Sequence, residues 1–153
     1  MNDHIDQFKP NTTVAVIVAC KDKFLLVEEF ENNQVVYNQP AGHIEANENL
    51  INAAKRELEE ETGLLLSPEY LSGIYYFHRP DLSLYYLRFC FVVHVDEELA
   101  TKPQDDDITA CHWFTLDEIE AKSAQLRSPM VLDCIKDYLS GQRVELPILK
   151  SNL

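Results

Sequence analysis

Residues 42–64, GHIEANENLINAAKRELEEETGL, decide how this chain is read. The second half has helical spacing. Ile51, Ala54, Leu58 and Leu65 fall on one side and predict an apolar stripe, with Asn52, Lys55 and Glu59 opposite. Asn47 or Asn49 can cap the start, and Gly63 suits the left-handed position that ends a helix.

Glu57, Glu60 and Glu61 do not fit an ordinary solvated helix. At 100° per residue they lie within about 100° of arc, beside the apolar stripe. Their like-charge pairs at i,i+3 and i,i+4 cost about 0.2–0.5 kcal/mol each. All three sit near the helix C-terminus, where the dipole disfavours anions, so the arrangement is unfavourable by about 1–4 kcal/mol. A local rule broken without visible compensation points to a functional site. Clustered carboxylates suit Mg²⁺, or Mn²⁺ in its place, because these ions take hard oxygen ligands and leave room for phosphate and water. Taken alone, three clustered glutamates are also compatible with a solvated acidic helix end.

Composition sets the outer limits. The 153 residues are enough for one domain with a proper core, and 46% hydrophobic with 25% charged residues is ordinary for a soluble globular protein. No apolar stretch is long enough to span a membrane. The polar N-terminus, MNDHIDQFKP, does not read as a signal peptide. A formal net charge of −13 argues against capture of nucleic acid or of an anionic membrane. It also repels phosphate esters, so a metal ion and local basic residues must reverse the field at any site that binds them. Cys20, Cys90, Cys111 and Cys134 lack C-x-x-C spacing and lie in strand- or helix-like segments. They read as buried thiols of a reducing, cytoplasmic compartment.

The remaining chain reads as follows. Residues 12–20 (TTVAVIVAC) form a buried strand, a turn at 21–23 leads to a second strand over 24–28, and 35–37 make a short third. Residues 38–43 are expected to be loop. Strands are expected over 70–78 and 84–95, joined around Arg79-Pro80-Asp81, with an acidic loop over 97–107 and a last strand over 108–114. Thr115 opens a helix with Glu118 as its capping-box partner. Ser128-Pro129 opens the final helix, Ser at the N-cap and Pro at N1, and Gly141 ends it. Periodicity alone leaves the sheet topology open.

The opening stretch fits G-x5-E-x7-R-E-U-x-E-E-x-G-U, with U aliphatic, at Gly42, Glu48, Arg56, Glu57, Leu58, Glu60, Glu61, Gly63 and Leu64. This resembles the Nudix box, the signature of hydrolases that cleave a nucleoside diphosphate linked to another group. The resemblance implies a single α+β Nudix domain over 1–153, its core at about 9–145. The expected form is an α/β/α sandwich with a mixed β-sheet, a catalytic loop-helix-loop and a C-terminal helix. It implies Glu57, Glu60 and Glu61 as metal ligands, Arg56 orienting Glu57, Glu48 bracing the loop, and the Gly42 carbonyl as a further ligand. Such enzymes often draw another acid from a loop outside the box, for which Asp105, Asp106 and Asp107 are candidates. Substrate contacts are expected from His43, Arg79, Arg88, Arg127 and Asp107, with Tyr75, Tyr76, Phe77, Tyr85, Tyr86 and Trp113 as candidates to stack on a base.

Outside the box, NQPAGHIEANENL at 38–50, LRF at 87–89, CHWF at 111–114 and LRSP at 126–129 resemble a bacterial phosphatase branch of the family. That branch implies Mg²⁺-dependent release of orthophosphate from nucleoside tri- and diphosphates, and action on hydroxymethylpyrimidine and thiamine pyrophosphates. Pro80, sixteen residues after Leu64, pulls towards an ADP-ribose or dinucleotide pyrophosphatase of the same family. A nucleotide-binding module without catalysis is the third possibility, disfavoured because every box glutamate is present. The partners expected are small diphosphates, with no polymeric nucleic acid and no membrane, for a monomer or homodimer.

Overall fold

The computed structural model describes residues 6–153. Strand β1 (Asn11–Cys20) is the axis of the sheet, and Val14 to Cys20 are buried. Successive side chains on a strand alternate between faces. Val14, Val16 and Val18 therefore enter one core, and Ala15, Ile17 and Ala19 enter the other. A β-branched run with no polar alternation is what a strand covered on both faces requires.

Strand β2 (Lys23–Glu31) turns back from β1, pairs with it only at Ala19–Phe24 and Cys20–Lys23, and then diverges. Beyond that point, from Val27, it pairs with β3 (Gln34–Asn38) on one edge, and from Lys23 onward it pairs with β7 (Ile108–Thr115) on the other. The edge of β1 that β2 abandons is taken by β4 (Ala41–His43). On its other edge β1 runs parallel to β6 (Leu84–His94), which pairs antiparallel with β5 (Tyr70–Arg79). Strand β8 (Val144–Glu145) closes the outer side of β5. The sheet is mixed, in the order β3-β2-β1-β6-β5-β8.

Helix α1 (Leu50–Thr62) covers one face through Ala53, Ala54 and Leu58. Helices α2 (Leu116–Ala121) and α3 (Met130–Leu139) cover the other through Ile119, Val131, Cys134 and Ile135. The α/β/α sandwich expected from the resemblance is present. Among the described residues no helix is long and apolar enough to cross a membrane.

Local expectations hold at several points. The Asn49 side chain accepts from the Asn52 N–H at 2.8 Å and caps α1. Gly63 takes φ +77°, and its N–H donates to the Glu59 carbonyl. Thr115 and Glu118 form the reciprocal capping box. All four cysteines are free thiols; Cys20, Cys90 and Cys134 are buried as expected, while Cys111 is only half-buried.

Other expectations need correction. Residues 41–43 pair as a strand, although Ala-Gly-His has no strand propensity, because the diverging β2 leaves β1 an open edge. Strand β7 is not the last, since β8 follows α3. Leu65 lies beyond α1 and is exposed, and Leu64 fills the core instead. Helix α3 begins at Met130 with Pro129 at the boundary, although the Ser128 hydroxyl still accepts from the Met130 N–H.

Candidate active site

A cleft of about 450 Å³ opens between β4, the C-terminal half of α1 and the segment leading into α3. Its walls carry seven carboxylates, Glu29, Glu45, Glu57, Glu60, Glu61, Asp105 and Asp107, and four arginines, Arg56, Arg79, Arg88 and Arg127. Gly42 and His43 line it too. The expected metal ligands and Arg56, with His43, Arg79, Arg88, Arg127 and Asp107, thus lie on one surface.

Arg56 organises the box. Its Nε and Nη2 donate to the two carboxylate oxygens of Glu48 at 2.6 and 2.9 Å. Its Nη1 donates to Glu57 at 2.8 Å and to Glu60 at 3.3 Å, and Nη2 also reaches the His43 carbonyl at 3.0 Å. Glu48 in turn accepts from the Glu45 N–H at 3.0 Å. One planar guanidinium therefore ties the loop after β4 to the helix that bears the glutamates. The Glu48 hydrogen bonds hold Arg56 still further above its already high range, and Arg56 draws Glu48 below the usual carboxylate range.

Glu57 and Glu61 are buried, on the side of α1 that faces the strands. Burial pushes the Glu57 carboxyl up against the pull of Arg56. Burial pushes Glu61 up to about 9, opposed by the Ala41 N–H and helped by Glu57, Glu29 and Asp105. The Ala41 N–H donates to Glu61 Oε1 at 2.9 Å. Gly42 has a steric reason to be glycine: a Cβ there would overlap the Glu57 carboxylate.

The acidic loop is fastened to the end of α1. The N–H groups of Gln104 and Asp105 donate to the Glu60 carbonyl, and that of Lys102 to the Thr62 carbonyl. These bonds satisfy carbonyls that the helix end leaves open and bring Asp105 and Asp107 to the cleft, while Asp106 does not line it. Arg127 donates to Glu29 at 3.1 Å, and Arg79 to Asp81 at 2.8 Å. Of the candidate stacking residues only Tyr86 lines the cleft. The Tyr75 hydroxyl donates to Asp137, Trp113 donates to the Leu99 carbonyl, and Tyr76 stacks on Tyr85 away from the site.

Glu29 is the site residue that the sequence did not single out. Burial raises its carboxyl despite Arg127. The available signal was the consecutive Glu28-Glu29 after an apolar strand run. Glu28 turns instead to Thr109 and His112, across the irregularity where β2 meets β7.

The donors fit a hard divalent cation: they are oxygens, they carry excess negative charge, and Glu61 holds its proton to about pH 9 unless a cation displaces it. Among the described residues no three acidic, imidazole or thiol groups converge on one point as the chain stands, because Arg56 engages Glu57 and Ala41 engages Glu61.

Comparisons with known proteins agree with this architecture. The NUDIX domain profile matches residues 9–134. The phosphatase NudJ of Shigella boydii is 44% identical over 142 residues, covering 93% of this chain and 92% of its own. That of Escherichia coli K12 is 43% identical over the same coverage. Among solved structures, a NUDIX hydrolase from Nitrosomonas europaea superposes with a TM-score of 0.88 at 44% identity, covering 94% of this chain and 97% of its own. With the box, the sandwich and these relatives together, the chain belongs to the Nudix family, hydrolases that act on phosphorus-containing anhydrides.

Proposed function

We propose that this protein is a cytoplasmic, Mg²⁺-dependent phosphatase. It removes orthophosphate from nucleoside tri- and diphosphates and from hydroxymethylpyrimidine and thiamine pyrophosphates. The observation that carries this reading is one cleft in which buried carboxylates that suit a hard cation stand beside arginines that suit phosphate. Its similarity to proteins named phosphatase NudJ supports the phosphatase reading.

Glu57, Glu60 and Glu61 would hold the metal, with the Gly42 carbonyl as a further oxygen donor. Mg²⁺ bound there neutralises phosphate charge and lowers the pKa of a bound water, and Mn²⁺ is the natural substitute. Arg56 keeps Glu57 turned towards the cleft. Arg79 and Arg127, partly neutralised by Asp81 and Glu29, line the entrance for anionic substrates, and His43 and Asp107 add polar contacts. Asp105, whose N–H donates to the Glu60 carbonyl at the end of α1, lines the cleft and would serve as the base for an attacking water.

The test is product identification with Mg²⁺ on thiamine pyrophosphate, a nucleoside triphosphate, a nucleoside diphosphate and ADP-ribose. Stepwise orthophosphate from the first three, with ADP-ribose intact, is expected. AMP and ribose 5-phosphate from ADP-ribose would replace this reading with the pyrophosphatase one. Pro80, which motivates that alternative, sits in the turn after β5 and does not line the cleft.

A further inference from the structure

The chain has five arginines. Four meet carboxylates: Arg56 meets Glu48 and Glu57, Arg79 meets Asp81, Arg127 meets Glu29, and Arg143 meets Glu145. Arg88, on β6, is the fifth, and it is buried with 4% of its surface exposed. Among the described residues it makes no ion pair. Its Nη2 donates to the Gln39 side-chain oxygen and, at 3.5 Å, to that of Asn38. Both of these amide partners are neutral. Its Nε–H is the one buried side-chain polar atom among the described residues with no partner.

A guanidinium cannot shed its proton to escape burial, as a lysine can. An uncompensated buried charge is strongly unfavourable, and an orphaned buried donor adds to the cost. An anion bound in the cleft would offset that charge. Arg88 lines the cleft. It shares a row of the sheet with Thr13 of β1 and His43 of β4. That places it two strand spacings, about 10 Å, from the edge where Ala41 and Gly42 meet Glu61 and Glu57.

We infer that Arg88 anchors a phosphate group of the bound substrate, one lying beyond the phosphoryl group held against the α1 glutamates. This deepens the phosphoanhydride reading and rests on it. Gln39 is fixed by its own Nε2, which donates to the Val131 carbonyl at 2.8 Å. The guanidinium is therefore oriented before a ligand arrives, which removes part of the entropic cost of binding. Its paired donors suit a tetrahedral anion better than a single ammonium would. Arg88 positions the substrate and moves no proton. The competing role is purely structural, in which Arg88 only ties residues 38–39 to β6.

Imidodiphosphate, a pyrophosphate with a nitrogen bridge, separates the two. Its affinity for the full chain in Mg²⁺ is measured by calorimetry for wild type, R88M and R88K, with KM for a nucleoside diphosphate and Tm alongside. R88M should bind at least about tenfold more weakly, with KM raised by a similar factor, and R88K should fall between it and wild type. In wild type, the Arg88 Nε–H resonance should shift as imidodiphosphate saturates the site, a readout that does not depend on either variant folding. Unchanged affinity and KM in both variants, or an Nε–H signal that stays put at saturation, would overturn the role of Arg88 and leave the hydrolase reading standing. Wild type that neither binds imidodiphosphate nor cleaves any phosphoanhydride would overturn both.

Discussion

Glu61 accepts the Ala41 N–H while burial lifts its carboxyl to about 9 from an ordinary 4.5. The folded chain therefore binds this proton more tightly than the unfolded chain does. In metal-free buffer that favours the folded state fully below pH 4.5, and the benefit is lost as the pH rises towards 9. In the E61Q variant the amide oxygen still accepts from Ala41, and the titration disappears. E61Q in EDTA at pH 8 should melt about 2–4 °C above wild type for each 1 kcal/mol gained, with the gap closing towards pH 5. Equal or lower melting at pH 8 would contradict the account of this carboxyl. The same gain is not expected of E57Q, because Glu57 partners Arg56 at 2.8 Å and its loss leaves that charge less satisfied. Residue identity at Gly42 follows from the same packing. The Cβ of G42A would displace the Glu57 carboxylate, so turnover should fall at least about tenfold while far-UV circular dichroism stays native. Full activity in G42A would show that Glu57 need not sit where it does.

At the scale of elements, α1 was the most legible part of the chain. Its cap, its apolar face and its left-handed terminus all lie in local sequence, where propensity and capping chemistry act. The Asn49 cap should be worth about 1 kcal/mol, so N49A is expected to lower Tm by about 2–4 °C without changing the reaction catalysed. No change in Tm would mean that tertiary packing alone holds the helix start. Less of the site outside α1 was legible. Asp105, Asp106 and Asp107 were equal candidates in the sequence, and only the fastening of their loop to the Glu60 and Thr62 carbonyls separates Asp105 and Asp107, which line the cleft, from Asp106. Glu29 and Arg88 are strand residues whose burial depends on what packs over them: the sequence offered Arg88 as a phosphate contact without its burial, and only the Glu28-Glu29 pair after an apolar run hinted at Glu29. Strands β4 and β8 were invisible because segments of three and two residues carry no periodicity, and only the partner edge makes them strands.

For the whole molecule, hydrophobic alternation showed which segments are strands but not which edges meet. The sheet order depends on β2 leaving β1 after two paired residues, and that divergence is a tertiary outcome. The family resemblance supplied what periodicity could not. The resulting sandwich sets carboxylates from β2, α1 and the acidic loop around one cleft in a protein of formal charge −13. Phosphate can enter such a cleft only when a cation offsets that field. The most direct measurement follows ³¹P signals during hydrolysis of a nucleoside diphosphate by wild type, E57Q and E61Q, each with Mg²⁺ and with EDTA. The account predicts orthophosphate from wild type only when Mg²⁺ is present, and turnover at least about 100-fold lower in both variants, since even partners one step removed from a metal cost 10–100-fold. Orthophosphate released at the same rate in EDTA, or full activity in both variants, would contradict it.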